Sequence, residues 1–313
     1  MRTQPPHHWT RILPPILVCS LLWGSAIPSI KLVYREWNQA GVEIKAWDLW
    51  WFAGVRFTIA GAALLAISKN PLRDIRASSP RLLALFALTQ TTGQYVFFYL
   101  ALSVATGSLT SLMVSTGSFW WLLLAPFFLK SPWPTRWQWL AIIVGAAGVT
   151  IATHSPGSGE PASLFGVLFM LISTLLGALG VITFAKLKPT IGPRAGTGFA
   201  LFAGGLLLLL IGAPSFARAP ELLTPRVMLL TVWIAFVSAA AFTLWNQLST
   251  LHPVNLLASY RFLVPVCGVT ESLLVLKNEQ ATPALFIGGF LVIGSLIAAQ
   301  QLVPRKAQEE PKK

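Results

Sequence analysis

The sequence predicts an all-α integral membrane protein of ten transmembrane helices arranged as two inverted five-helix repeats. Of 313 residues, 55% are hydrophobic and only 11% are Asp, Glu, Lys or Arg, against about 25% charged in an ordinary soluble domain. The apolar residues gather into runs of about 20, each long enough to cross a hydrocarbon core of ~30 Å. The two halves also resemble each other at an offset near 148 residues. Leu109 falls on Leu257, Ser111 on Ser259 and, after a one-residue slip, Gly145 on Gly294. Five helices per repeat, an odd number, turn the second copy upside down in the bilayer. Inverted repeats are a transporter architecture, with substrate held near the midplane between the halves.

The spans lie between Pro, Gly and charged breaks. In order they are Pro14 to Tyr34, Trp47 to Ser68, Leu82 to Leu102, Thr106 to Leu129 and Trp137 to Thr153 in the first half. The second half has Leu164 to Ala185, Gly196 to Ile211, Val227 to Ser249, Val254 to Leu276 and Pro283 to Leu302. The first run is too long for a signal-peptide core and has no small-x-small cleavage site, so it reads as helix 1. The organisation that follows is a first repeat over 1–153, a second over 154–303 and a basic cytoplasmic tail over 304–313. The linkers are too short for a soluble domain.

Lys and Arg total 23 against 10 acids, a formal charge of +13. They are scattered in short clusters rather than gathered in one patch, which excludes a nucleic-acid partner and instead orients the chain. One side carries Arg2, Arg11, Lys69, Arg73, Arg76, Arg81, Lys130, Arg136, Lys186, Lys188, Arg194, Arg305, Lys306, Lys312 and Lys313. The other carries only Arg35, Lys45, Arg218, Arg226 and Lys277. Basic loops stay in the cytoplasm, so both termini of a multi-pass protein of the cytoplasmic membrane are expected there.

A charge at the centre of a span costs about 2.5 to 3.5 kcal/mol, so intramembrane ions mark functional candidates. Arg56 lies ~13 Å below the outer end of helix 2, too deep for an interfacial anchor. Arg261 lies inside the cytoplasmic end of helix 9 and can snorkel, as can Lys31 near the outer end of helix 1. Glu271, the one carboxylate well within a span, must pair, face water or carry a proton. Lys31 and Arg56 are its expected partners. Gln90 and Gln94, four residues apart, share a helix face with Phe97, and Asn246 and Tyr260 are placed to face them. Arg56, Gln90, Gln94, Asn246, Tyr260, Arg261, Glu271 and Lys31 therefore form the candidate substrate-binding or coupling set. The competing role of the uncharged members is interhelical hydrogen bonding.

Most of the 13 tryptophans fall near helix ends, but Trp23, Trp120 and Trp121 are deeper and can wall a cavity. Pro28 and Pro265 lie inside spans, where a missing backbone donor can kink a helix. The Gly145–Gly148 and Gly288–Gly294 runs are close-packing surfaces suited to an oligomer, so a monomer or homodimer is expected. Cys19 and Cys267 sit in apolar runs as packing residues. His7, His8, His154 and His252 show no ligand spacing. No phosphate loop, nucleophile elbow or His-Glu-x-x-His sequence occurs, so neither cofactor nor metal is expected.

The ordered set Trp23-Gly24-Ser25 with Lys31, Val55-Arg56-Phe57, Ala105-Thr106-Gly107-Ser108, Gly145-Ala146-Ala147-Gly148, Pro253, Pro265 and Glu279 resembles the drug/metabolite transporter superfamily, in its ten-helix EamA-type branch. The resemblance covers nearly the whole chain. It implies a cytoplasmic-membrane transporter, often an exporter of amino acids or other small metabolites, with helices 5 and 10 behind a basket formed by the rest. The chain departs from that pattern at Gly117, where the family usually has Pro, at Lys130-Ser131-Pro132, where it usually has a Gly-Glu pair, and at Glu271. The expected function is a secondary transporter for a small-molecule substrate. The alternative is a membrane-embedded enzyme acting on a lipid or prenyl carrier, for which Glu43 and Asp48 are the sole close acidic pair.

Overall fold

The structure, a computed structural model, describes residues 8–129, 132–153, 164–251, 257 and 260–301. The tail 304–313, Lys130, His154, Pro253 and Ser259 lie outside these residues. All regular structure among the described residues is helical. In chain order the helices are α1 (His8–Gln39), α2 (Ala46–Ala66), α3 (Pro71–Ala77), α4 (Pro80–Ala87), α5 (Gln94–Val104), α6 (Gly107–Val114) and α7 (Thr116–Leu129). They continue with α8 (Arg136–Thr153), α9 (Leu164–Leu187), α10 (Pro193–Ile211), α11 (Ala219–Leu222), α12 (Pro225–Leu251), α13 (Leu263–Val275) and α14 (Pro283–Gln301). Six stretches are long and apolar enough to cross a bilayer: Ile12–Gln39, Ala46–Ala66, Gly107–Leu129, Leu164–Leu187, Pro193–Ile211 and Pro225–Leu251.

Three expected spans are interrupted, each for a local reason. Between α4 and α5 the backbone widens into a π-helical turn, Leu88–Gly93. There Thr89 Oγ1 donates to its own helix at Leu85 O (2.7 Å) and Thr92 Oγ1 to Gly204 O across the interface (3.2 Å). The fourth span breaks at Ser115, between α6 and α7. Ser111, Ser115 and Thr116 turn their hydroxyls back onto the carbonyls of Gly107, Leu112 and Met113, a competition that bends helices. In the ninth span, expected from Val254, the described residues show a turn at 260–262 followed by regular helix from Leu263. Two short pieces were not anticipated: α3, entered through a left-handed Asn70 (φ 52°) with Pro71 at its first position, and the 3₁₀ turn Ala213–Arg218 leading into α11.

Small residues govern the closest packing. On α2, Gly54 and Gly61 are seven residues apart, two helical turns, and so share a face. Gly198, Gly205 and Gly212 repeat that spacing along α10. A Cβ at Gly61 would stand 2.2 Å from Phe202 N, and one at Gly205 would stand 2.6 Å from Thr58 N. The two helices therefore run backbone against backbone. Gly148 of α8 and Gly288 of α14 do the same, each placing a hypothetical Cβ within 2.7 Å of the other's carbonyl oxygen. Gly145, Gly148 and Gly288 of the expected glycine runs pack within the chain, while Gly294 faces open space.

The remaining contacts follow a pattern. α1 packs on α12 and α13, while α9 packs on α5 with its π turn and on α7; α6 meets α13; α2 touches α12, and α10 touches α4.

Polar residues fasten the helix ends. Asp48, fully buried at the start of α2, accepts from Lys45 N (2.9 Å), Ser215 Oγ (2.7 Å) and Arg218 Nη1 (2.5 Å). It thereby ties α2 to the turn after α10. Thr135 and Gln138 form a reciprocal capping box on α8, and Gln138 Nε2 also donates to Ala299 O of α14 (3.0 Å). Cys19 and Cys267 are buried free thiols.

Gly61→Ala should overpack the α2–α10 seam and cost about 1–3 kcal/mol, while Gly192→Ala, whose Cβ would have 3.7 Å clearance from Asp74, should be near neutral. Melting temperatures of the purified variants check this, and equal values would contradict the seam.

Candidate functional site

A cavity of about 140 Å³ lies at the middle of the bundle. Its walls come from α1, α2, the π turn with α5, α6 and α7, α9, α12, and the start of α13. The helix interruptions described above meet here: Gln90 lies in the π turn, Ser115 in the α6–α7 break and Arg261 in the turn before α13, and all three line the cavity. π turns and broken helices recur at functional sites because they free or re-aim polar groups. No Asp, Glu, His or Lys is among the described lining residues; the charged ones among them are Arg56 and Arg261.

Arg56 is 2% exposed. Its Nε donates to Ser238 Oγ (2.8 Å) and its Nη1 to Tyr99 Oη (3.0 Å), and its guanidinium sits over the rings of Phe57 (4.5 Å) and Tyr95 (5.6 Å). Every partner is neutral. Arg261 sits over the Trp245 ring (5.5 Å), with no ion pair among the described residues. Trp23, Phe242 and Trp245 form one aromatic wall, with ring centroids 5.4 and 5.6 Å from Trp23. Gln90 and Gln94 lie against the glycines of α9: a Cβ at Gly180 would meet Gln90 Oε1 at 2.6 Å, and one at Gly177 would meet Gln94 Oε1 at 2.9 Å. Ser173 Oγ and Gln94 Oε1 have no hydrogen-bond partner, although both are buried in the cavity wall.

A second and larger compartment, about 980 Å³, opens at the end of the bundle formed by the 40–45 and 276–282 turns. Lys31, Arg35, Lys45 and Lys277 line this vestibule, with Glu279 as the one acid among its described lining residues. No residue lines both compartments. Tyr99, fully buried, stands between them: its hydroxyl meets Arg56 in the cavity wall, and its carbonyl accepts from Tyr34 Oη in the vestibule wall (3.4 Å). The Glu279 carboxylate is committed to the start of α6. It accepts from Ser108 N (2.7 Å), Gly107 N and Ser108 Oγ, where helix N–H groups lack intrahelical partners and favour an anion.

The structure brings Arg56, Gln90, Gln94, Asn246 and Arg261 to one cavity, with Asn246 Nδ2 donating to Thr197 Oγ1 (2.6 Å). It separates the other three. Tyr260 packs in an apolar cluster with Ile12, Ile16 and Leu257, because the turn at 260–262 rotates it away from the cavity. Lys31 lines the vestibule, four residues or about one helical turn beyond Ile27. Glu271 lines neither compartment and forms no ion pair with Lys31 or Arg56 among the described residues, which corrects its expected pairing. Phe97 also differs: the row from Gln90 through Gln94 continues to Phe98, and Phe97 meets Phe169 instead. Of the deep tryptophans only Trp23 lines the cavity. Tyr99 and Ser238, which hold Arg56, were not singled out from the sequence, since a lone Tyr or Ser in a span carries no distinctive cost.

The cavity lies among helices of which several are long and apolar enough to cross a membrane, and the known proteins that this chain resembles are named as transporters. The EamA-like transporter family matches residues 13–153, so the first half of the chain is EamA-like and the likeness to drug/metabolite transporters rests on more than short motifs. The chain is 23% identical to an uncharacterized transporter of Archaeoglobus fulgidus, over 88% of this chain and 92% of that one. It is 27% identical to the uncharacterized transporter YetK of Bacillus subtilis, over 78% and 76%. With the uncharacterized inner membrane transporter YedA of Escherichia coli K12 the identity is 26%, over 80% and 78%. A solved crystal structure shares the fold at a TM-score of 0.61 and 17% identity, covering 92% of this chain and 96% of that one.

Tyr99→Phe and Ser238→Ala should each leave a buried guanidinium N–H unpaired and cost about 1–3 kcal/mol. Because both act through Arg56, the double variant should depart from additivity by more than about 0.5 kcal/mol. Unfolding measured on the singles and the double checks this, and strict additivity would show that the two do not share Arg56.

Proposed function

We propose that the chain is a secondary transporter that exports a small metabolite, such as an amino acid or related organic solute, across the cytoplasmic membrane by alternating access. The observation that carries this reading is the cavity itself: among the described residues it draws its walls from both halves of the chain, holds a buried arginine, and shares no lining residue with the vestibule. Arg56, Gln90, Gln94, Asn246 and Arg261 are its proposed binding residues.

The architecture proposed with it is ten spans in two inverted repeats, 1–153 and 154–303, followed by the tail 304–313. Its support is the contact pattern. Exchanging each helix for the one about 148 residues away turns the α1–α12 contact into α9 against α5, α1–α13 into α9 against α6–α7, and α2–α12 into α10 against α4 and the π turn. The α2–α10 and α8–α14 contacts map onto themselves. Such a set is what a two-fold relation between halves requires. Both termini are proposed to be cytoplasmic, which puts the vestibule outside and the cavity toward the cytoplasm. A Lys45→Cys variant labelled by an impermeant reagent in intact cells supports that orientation, and labelling only after lysis reverses it.

The enzyme alternative loses its acidic pair. Asp48 is engaged by Arg218 and Ser215, while the Glu43 side chain is 84% exposed. In a metabolite-exchange screen with reconstituted vesicles at controlled pH and potential, saturable flux of one solute class is expected. Product formation without flux would overturn the transport reading.

A further inference from the structure

We infer that the transported solute is a small organic anion with an apolar, ring-sized body, and that the membrane potential alone drives its export, with no co-transported ion. This rests on the transporter reading and narrows it.

The charge distribution along the path carries the inference. Among the described residues the central cavity is lined by two guanidiniums and no acid. Among the described residues the vestibule is lined by four basic side chains, of which Lys45 pairs with the exposed Glu43 (3.9 Å), against Glu279, whose carboxylate is occupied by the N-terminus of α6. Both compartments on the two sides of Tyr99 are therefore cationic, and low-dielectric walls focus such a field onto the lumen. A cationic solute would be repelled from each compartment in turn. Arg56 is fixed by the neutral oxygens of Tyr99 and Ser238, which orient its fork without neutralising it, and an anion is the counter-charge that a desolvated guanidinium lacks. Ser173 Oγ, 1% exposed and without a partner in the same wall, is a further donor awaiting a ligand.

The pseudo-symmetry sharpens the point. The positions about 148 residues from Arg56 and Arg261 are Gly204 or Gly205 and Met113 or its neighbours, so neither cation has a counterpart in the other half. Two uncompensated charges in an otherwise two-fold scaffold are there for something other than the scaffold. The aromatic wall of Trp23, Phe242 and Trp245 supplies the complementary surface for an apolar body.

The energetic consequence follows. None of the described residues that line the cavity is Asp, Glu, His or Lys, so no proton carrier is placed among them to travel with the substrate. None is needed, because an anion leaving a cell that is negative inside runs down the electrical gradient. A potential of 100 mV supports an outward concentration ratio of about 50-fold for one charge.

The test uses vesicles holding the full chain, with a potassium–valinomycin potential and three labelled probes that share a phenyl ring: phenylpyruvate, L-phenylalanine and phenyltrimethylammonium. Phenylpyruvate should move at least tenfold faster than the other two and accumulate toward the positive side. That accumulation should rise with potential and ignore a pH gradient. Arg56→Gln should lose this flux, and Arg56→Lys should retain part of it while eluting as the same folded species. Preference for the zwitterion or the cation, or anion accumulation that follows pH and not potential, overturns the inference and leaves transport standing. Failure of every solute, in this experiment and in the wider screen, overturns both.

Discussion

A guanidinium at the middle of an apolar bundle has to be held by something, and Arg56 is held by two hydroxyls and two aromatic faces rather than by a carboxylate. Much of the structure exists to make that arrangement possible. The glycine seam draws α2 against α10, and the contacts of α2 with α12 bring Ser238 to the Nε side of Arg56. α5 delivers Tyr95 and Tyr99 from the opposite flank. A carboxylate partner would have made a strut; neutral partners leave a positively charged wall whose charge is available to a ligand.

The same constraint explains why the cavity lies where helices are irregular. A regular apolar helix offers lipid-like surface all round, so the polar lining has to come from places where the backbone ladder is disturbed. The π turn presents Gln90, the Ser115 break presents a hydroxyl-rich edge, and the turn before α13 presents Arg261. At the vestibule end the reverse holds: Glu279 satisfies the exposed N–H groups of α6 and so steadies that end of the bundle. The α8–α14 pair, locked through Gly148 and Gly288, contacts the rest mainly through α6 and contributes nothing to the cavity lining.

The helical runs were legible because lipid leaves no alternative: an apolar stretch of about 20 residues has to satisfy its own backbone. Arg56, Arg261, Gln90, Gln94 and Asn246 were legible for a related reason, since a polar group in a span is costly enough to need a purpose. What the sequence concealed depends on helix rotation and on distant partners. Tyr260 and Phe97 miss the cavity by a fraction of a turn, set by a local turn and by the packing of α5 on α9. Glu271 is the instructive case: its rarity made it a coupling candidate, but one-dimensional spacing cannot tell which side of α13 it occupies. Ser238 and Tyr99 gained their importance only from Arg56, 182 and 43 residues away in sequence.

The central claim is that Arg56, in a cavity with no acid among its described lining residues, is the proposed anchor for an anionic solute. The most direct measurement is a crystal structure of the protein soaked in 4-bromophenylpyruvate, with the bromine located by its anomalous signal. The account predicts bromine beside Trp23 and Phe242, with the carboxylate hydrogen-bonded to the free edge of the Arg56 guanidinium. Bromine confined to the vestibule near Lys31 and Lys277, with the central cavity empty, would contradict it.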